Sequence, residues 1–213
     1  MAFADPDPSG AGVSVTGSSR WVNTSAGSYP GEGGNISNAS LSGATQTGVW
    51  SGFVGEVTGG VTLNNANAQA LFDWAVTSVT GEVFASRNST PEWGNIAAQN
   101  DCTVDSSITG SGSDNSTNTW TASNNTAVQV GTTNIAAGSA CALGTYVSGA
   151  AQSGTRDFEE ILLTAGGTGN EVYTAKINED TTGYDGSTHD YQMIVPDYSN
   201  STSLTYYFFV ELG

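Results

Sequence analysis

From Val49 to Leu63 apolar side chains fall on alternate positions, with Val49, Phe53, Val57, Val61 and Leu63 on one side and small residues between them. A strand turns successive side chains to opposite faces, so a period of two marks a half-buried β-strand. The same alternation returns at Val13–Val22, where Val13, Val15 and Trp21 share a face, and at Ala70–Val76, Glu82–Arg87, Phe158–Thr164, Tyr173–Ile177 and Tyr191–Val195. Clusters of Gly, Asn, Asp and Ser bound these runs, as turn chemistry requires. Gly59-Gly60 either turns a hairpin or bends one strand, and Thr80-Gly81 predicts a hairpin between the Phe72–Val76 and Glu82–Arg87 runs.

In the final run, Leu204–Leu212, Tyr206, Phe208 and Val210 occupy one face and Tyr207 and Phe209 the other. Apolarity on both faces predicts a strand covered on both sides. With 28 glycines and abundant Ser, Thr and Asn, the chain has little helix-forming material. The expected fold is an all-β antiparallel sandwich, immunoglobulin-like or jelly-roll-like, and 213 residues suffice for one large unit or two small ones.

Cys102 and Cys141 are even in number and widely spaced, with no metal-binding cluster around them, and predict a disulfide. They bracket a Ser/Thr/Asn/Gly-rich insert at about 103–140, interrupted by Trp120 and Ala127–Val130. Such composition buries little surface, so the insert is expected to be an excursion stapled at its base, with one or two short strands. The domain plan is therefore a leader and candidate donor strand at 1–22, then a β-sandwich domain at 23–213 carrying the insert.

Twenty acidic residues against four basic ones, Arg20, Arg87, Arg156 and Lys176, give a formal net charge of -16. Four scattered cations cannot neutralise a row of phosphates, which excludes nucleic acid and anionic membranes as partners. Self-repulsion on this scale is eased by ambient salt, which points to a halophilic source. No apolar stretch approaches the roughly 18 residues of a membrane span, so membrane insertion is not expected. The opening Met1-Ala-Phe-Ala-Asp-Pro-Asp-Pro carries neither a cationic nor an apolar signal region, so the expectation is a mature or trimmed chain. It also lacks the long apolar N-terminal helix of type IV pilins and archaellins, and any filament needs another mechanism.

Seven N-x-[ST] sequons, at Asn23, Asn35, Asn38, Asn88, Asn115, Asn124 and Asn200, are glycosylation candidates and, with the disulfide, favour an extracellular, cell-surface location. Chemistry is poorly served. His189 is the only histidine and no nucleophile elbow accompanies it, so no catalytic residue is assigned and no enzyme activity is expected. Glu159-Glu160 are adjacent, point to opposite faces of a strand, and read as a solvated face. Asn178–His189 loosely echoes a calcium loop but lacks the first Asp and the final Glu, leaving Asp180 and Asp185 as the metal candidates; no other cofactor is expected. Of the tryptophans, Trp50 and Trp74 fall inside strand patterns and are assigned to the core, whereas Trp93 and Trp120 fall in loops and are the candidates for contact with glycans.

Three segments carry a resemblance: Val49-Trp-Ser-Gly-Phe-Val-Gly-Glu-Val-Thr-Gly; Phe72-Asp-Trp with Gly81-Glu-Val-Phe-Ala-Ser-Arg and Trp93-Gly-Asn-Ile; and His189-Asp-Tyr-Gln-Met-Ile-Val-Pro with Tyr206-Tyr-Phe-Phe-Val-Glu-Leu. Together they resemble a family of secreted, largely uncharacterised archaeal cell-surface β-proteins. The resemblance implies a place outside an archaeal cell and a pilin-like filament role, and brings no catalytic residues with it.

The expected function is a structural subunit of an extracellular filament or surface layer, partnered by itself or by other surface proteins. Assembly would proceed by β-strand addition, with Ala11–Val22, and Val13, Val15 and Trp21 in particular, completing the sheet of the next subunit. The alternatives are a monomeric carbohydrate-binding or adhesive module, and a halophilic virus capsid or spike protein.

Overall fold

A computed structural model describes residues 7–21, 25–76, 78–152, 154–197 and 203–213. The strands in chain order are β1 (Ser9–Gly10), β2 (Trp50–Gly55), β3 (Gly60–Asn64), β4 (Ala70–Ala75), β5 (Gly81–Ser86), β6 (Ile96–Ala98), β7 (Val128–Val130) and β8 (Thr133–Ile135). They continue with β9 (Ala142–Gly144), β10 (Glu159–Ala165), β11 (Glu171–Lys176), β12 (Thr181–Thr182), β13 (Thr188–His189), β14 (Tyr191–Pro196) and β15 (Tyr207–Leu212). The α-helical content of the described residues is two single turns, α1 (Ser106–Thr109) and α2 (Ser116–Thr119), both inside the insert.

Seven strands form one antiparallel sheet in the order β1-β15-β5-β11-β10-β6, with β9 lying alongside β10. β6 pairs with the Leu163–Ala165 end of β10, and β9 with the Glu159–Ile161 end. Because β5 from the first half of the chain sits between β15 and β11 from the second, these strands do not part into two units. Gly81 opens β5 at a φ of +116°, where a Cβ would fall 2.1 Å from the carbonyl oxygen of Glu211, so only glycine lets β15 approach there.

The alternation in the central strands sorts side chains to two covered faces. One face presents Phe84, Ile161, Leu163, Val172 and Phe209 to Val128, Val130 and Ile135 of the β7–β8 hairpin. The other presents Val83, Ala85, Leu162, Tyr173 and Ala175 to Met193 and Val195 of β14, with Trp50 and Phe53 of β2 beside them. Complete burial of a large apolar side chain contributes about 1.5–3 kcal/mol, and Phe84, Ile161, Leu162, Leu163 and Val172 are each 0% exposed. The result is layered and sandwich-like: a central sheet with the β2–β14 ribbon and Trp120 of the insert over one face and the β7–β8 hairpin over the other.

The all-β antiparallel class and the Cys102–Cys141 disulfide stand as expected, the latter with its Cα atoms 5.8 Å apart. The insert stands only in part: it has the two short strands expected of it, β7 and β8, but it is no excursion. It buries Trp120, Val128, Val130 and Ile135, and so supplies part of the core instead of looping outward. Scattered apolar residues suffice there, because the sheet beneath already offers a complete apolar face.

The alternating run Val49–Leu63 breaks at 56–59 into β2 and β3, which pair with different strands, β14 and β4. The hairpin expected around Thr80-Gly81 is absent, since β4 pairs with β3 while β5 joins the main sheet. Glu159 and Glu160 form no solvated face: they are 2% and 0% exposed. The closing strand β15 is covered on both faces as predicted, through Phe209 and Phe208, but it lies one place in from the sheet edge, flanked outside only by two-residue β1.

Three of the four cations serve buried carboxylates. Arg156 lies 2.7 Å and Lys176 3.8 Å from Glu159, while Arg87 bridges Asp105 at 2.5 Å and Glu171 at 3.0 Å. Tyr173 donates its hydroxyl to the same Asp105, and its phenol is held well above the usual range by burial first and by that carboxylate second. The Arg87 and Tyr173 contacts to Asp105 tie the insert to the main sheet. Arg20 makes no ion pair with the described residues and is exposed.

Candidate assembly surface

Residues 11–21 contain no strand, although Val13–Val22 was expected to be one. The physical reason is that alternation specifies which face would be buried, yet no strand among the described residues pairs with it. Before that segment, Ser9 and Gly10 pair with Val210 and Phe209, and the Ala11 N–H donates to the Phe208 carbonyl at 2.9 Å. Beyond Ala11 the chain runs on unpaired with Val13, Val15 and Trp21 exposed by 58%, 69% and 51%. Val22 lies outside the described residues.

This segment borders a cleft of about 640 Å³ between the β2 ribbon and the β15 side of the main sheet. Phe53 and Phe208 meet edge to face within it, ring centroids 5.0 Å apart, and Val54, Val57 and Leu212 extend the apolar lining. A second cleft of about 420 Å³ continues past Arg20, Trp50 and Asp197. β2 pairs with β14 alone among the described residues. The Asp197 N–H donates to Val49 O at 2.9 Å, and an antiparallel ladder alternates, so Trp50, Gly52 and Val54 turn their backbone groups away from β14. Unpaired groups of this kind are a template for another strand.

One residue of the cleft wall, Glu56, belongs to an acidic cluster. Carboxylate oxygens of Glu56, Asp180 and Asp190 lie within 4.8 Å of one another. Asp190 is buried and holds the group together, accepting from the Val57 N–H at 2.7 Å and the Asp180 N–H at 3.0 Å. Burial, then Asp190 and Asp180, push the Glu56 carboxyl above its ordinary value. Hard oxygen ligands of this type suit a divalent cation such as Ca²⁺. Of the two metal candidates from the sequence, Asp180 belongs to this trio and Asp185 does not. Asp185 instead accepts from the Ser187 N–H at 2.9 Å and contacts His189 Nε2 at 3.1 Å, and the first of these holds its carboxyl below the usual range. Glu56 and Asp190 carry no local signal in the sequence, because they stand 134 positions apart and no short spacing joins them. His189 stacks on Tyr184, ring centroids 6.1 Å apart.

Trp74, Trp93 and Trp120 depart from their expected roles, whereas Trp50 packs against the core as expected. Trp120 is 5% exposed and packs by Tyr173, and Trp93 stands edge to face with both Phe84 and Phe209. Trp74, assigned to the core, is 50% exposed, while Trp50 is half-buried with its indole N–H donating to Asp114 O at 2.5 Å. Among the sequons, Asn35, Asn38 and Asn124 are exposed, and Asn88 and Asn115 are half-buried, the latter capping α2 through its Oδ1. Asn23 and Asn200 lie outside the described residues. No helix among the described residues is long and apolar enough to cross a membrane. No family model, curated protein or solved structure matches the chain.

Proposed function

We propose that the chain is a structural subunit of an extracellular filament or surface layer of an archaeal cell, and that it polymerises by β-strand addition. The observation that carries this reading is a juxtaposition: an unpaired, alternating segment with three exposed apolar side chains beside a cleft with an unpaired strand edge. Residues 13–22 of one copy enter the cleft of the next, and Val13, Val15 and Trp21 replace water against Phe53 and Phe208. Ala11 stays with its own subunit, through its bond to Phe208. The contact is heterologous, so repetition gives an open fibre. The acidic composition, the disulfide and the family resemblance support the location.

Trp93 and Trp120, the residues named for the glycan-binding alternative, pack inward, and this favours the assembly reading over it. Deletion of residues 1–22 tests the proposal. It removes only the two-residue β1 from the main sheet, so the truncated chain should keep its circular dichroism and melting transition while sedimentation and negative-stain microscopy find no polymer. Filaments that form unchanged from the truncated chain would sink it.

A further inference from the structure

Hairpin β3–β4 stands outside both core clusters. Its register sets Val61 opposite Trp74 and Leu63 opposite Phe72, which places four apolar side chains on one face, with Thr62 and Asp73 on the other. The four are 51%, 50%, 50% and 57% exposed in the order Val61, Leu63, Trp74, Phe72, and the two aromatic rings meet edge to face at 5.0 Å. The turn at 65–69 is polar and closed by Asn65, whose side chain accepts from the Asn67 and Gln69 N–H groups, both at 3.0 Å. An isolated two-stranded ribbon is marginal in water without a third strand or a packed face. This one gathers four of its five large apolar side chains on one face, with Leu71 on the other, and no other part of the described chain covers that apolar side.

We propose that this face is an assembly contact covered by a second copy of the chain, the same copy whose strand enters the adjoining cleft. The inference rests on the strand-addition reading. Area, charge and continuity select that occupant. The four half-exposed side chains present on the order of 400 Å², the size of a functional patch on a monomer. A stable interface needs about 800 Å² per partner, so two arms meeting face to face would fall well short and a second contact must share the interface. The cleft supplies it without a gap, because Gly59 and Gly60 both line the cleft and lead into β3. The face itself carries no charge and offers a basic partner nothing to pair with. A formal net charge of -16 opposes approach to an anionic lipid surface.

The test uses the full chain carrying F72T and W74T, and separately V61T and L63T, which keep strand-forming residues on both strands. Each pair should leave the dichroism and melting transition in place and raise the concentration needed for polymer, read by light scattering, by about tenfold or more. The control D73N, on the opposite face, should leave that concentration unchanged. If both apolar-face variants assemble at the wild-type concentration while the 1–22 deletion abolishes assembly, the arm proposal falls and strand addition stands. If the deletion assembles normally but the arm variants do not, strand addition falls and the arm remains a contact between copies. A wild-type chain that stays monomeric at every concentration overturns both.

Discussion

Glu160 gives the sharpest test of how this fold is held together. Its side chain is 0% exposed, one oxygen accepts the Ile194 N–H at 2.9 Å and the other meets no partner, and burial drives the carboxyl well above its ordinary value of 4.5. The folded chain therefore holds a proton that the unfolded chain releases once the pH passes the ordinary carboxyl range. Stability from this group is complete below that range and declines as pH rises toward the folded value, at up to about 1.4 kcal/mol per pH unit. Glu160→Gln removes the titration and keeps an oxygen for Ile194. Guanidinium unfolding of both chains, followed by fluorescence from pH 4 to 8 at fixed high salt, isolates the effect as a difference, because the remaining carboxylates are common to both. The two should be similar in stability at the acidic end, and the variant should gain steadily above about pH 5, by roughly 1.4 kcal/mol per unit until Glu160 ionises in the folded state. Parallel curves across the whole range would refute the claim that a neutral carboxyl is buried under β14. A further comparison, Glu160→Leu, leaves the Ile194 N–H without an acceptor and should cost about 1–3 kcal/mol at low pH, where the Gln variant does not.

Arg87→Ala strands Asp105 and Glu171, whose side chains are 7% and 3% exposed, and should destabilise by about 3–5 kcal/mol in a denaturant titration, far more than an exposed ion pair would. Replacing both Cys102 and Cys141 by Ser opens a link spanning 39 positions and should cost about 4 kcal/mol, seen as a lower melting temperature with an unchanged far-ultraviolet spectrum. Reductant should reproduce that shift in the wild type and have no effect on the double variant.

Strand content was legible because each strand of the main sheet keeps its own period: Val83, Ala85, Leu162, Tyr173 and Ala175 face one way and Phe84, Ile161, Leu163 and Val172 the other. Pairing was not legible. Alternation fixes a face but not a neighbour, so the Val49–Leu63 run gave no sign that its halves belong to different ribbons. Charge alone points Glu159 and Glu160 to solvent, whereas Phe158 and Ile161-Leu162-Leu163 around them imply a strand covered on both sides. Composition hides the place of the insert: Trp120, Val128 and Val130 are scattered through a polar tract, yet they are the residues that anchor it. Trp74 and Trp120 differ by which surfaces happen to lie opposite them, a long-range property that neither local pattern records. The cleft depends likewise on β2 and β15 meeting in space, and of its parts only the segment at 13–22 announced itself in advance.

Because Arg87, Arg156 and Lys176 are drawn into ion pairs with buried carboxylates, the folded chain presents almost nothing to a protease that cuts after basic residues. Arg20 is the exception, and it sits within the segment that would leave for a neighbour. In the free subunit such a protease would meet one open bond and sever the connector there. In a polymer, the same bond would lie inside a ladder between two molecules. Survival in a proteolytic environment would then depend on being assembled, and unassembled subunits would be the ones cleared.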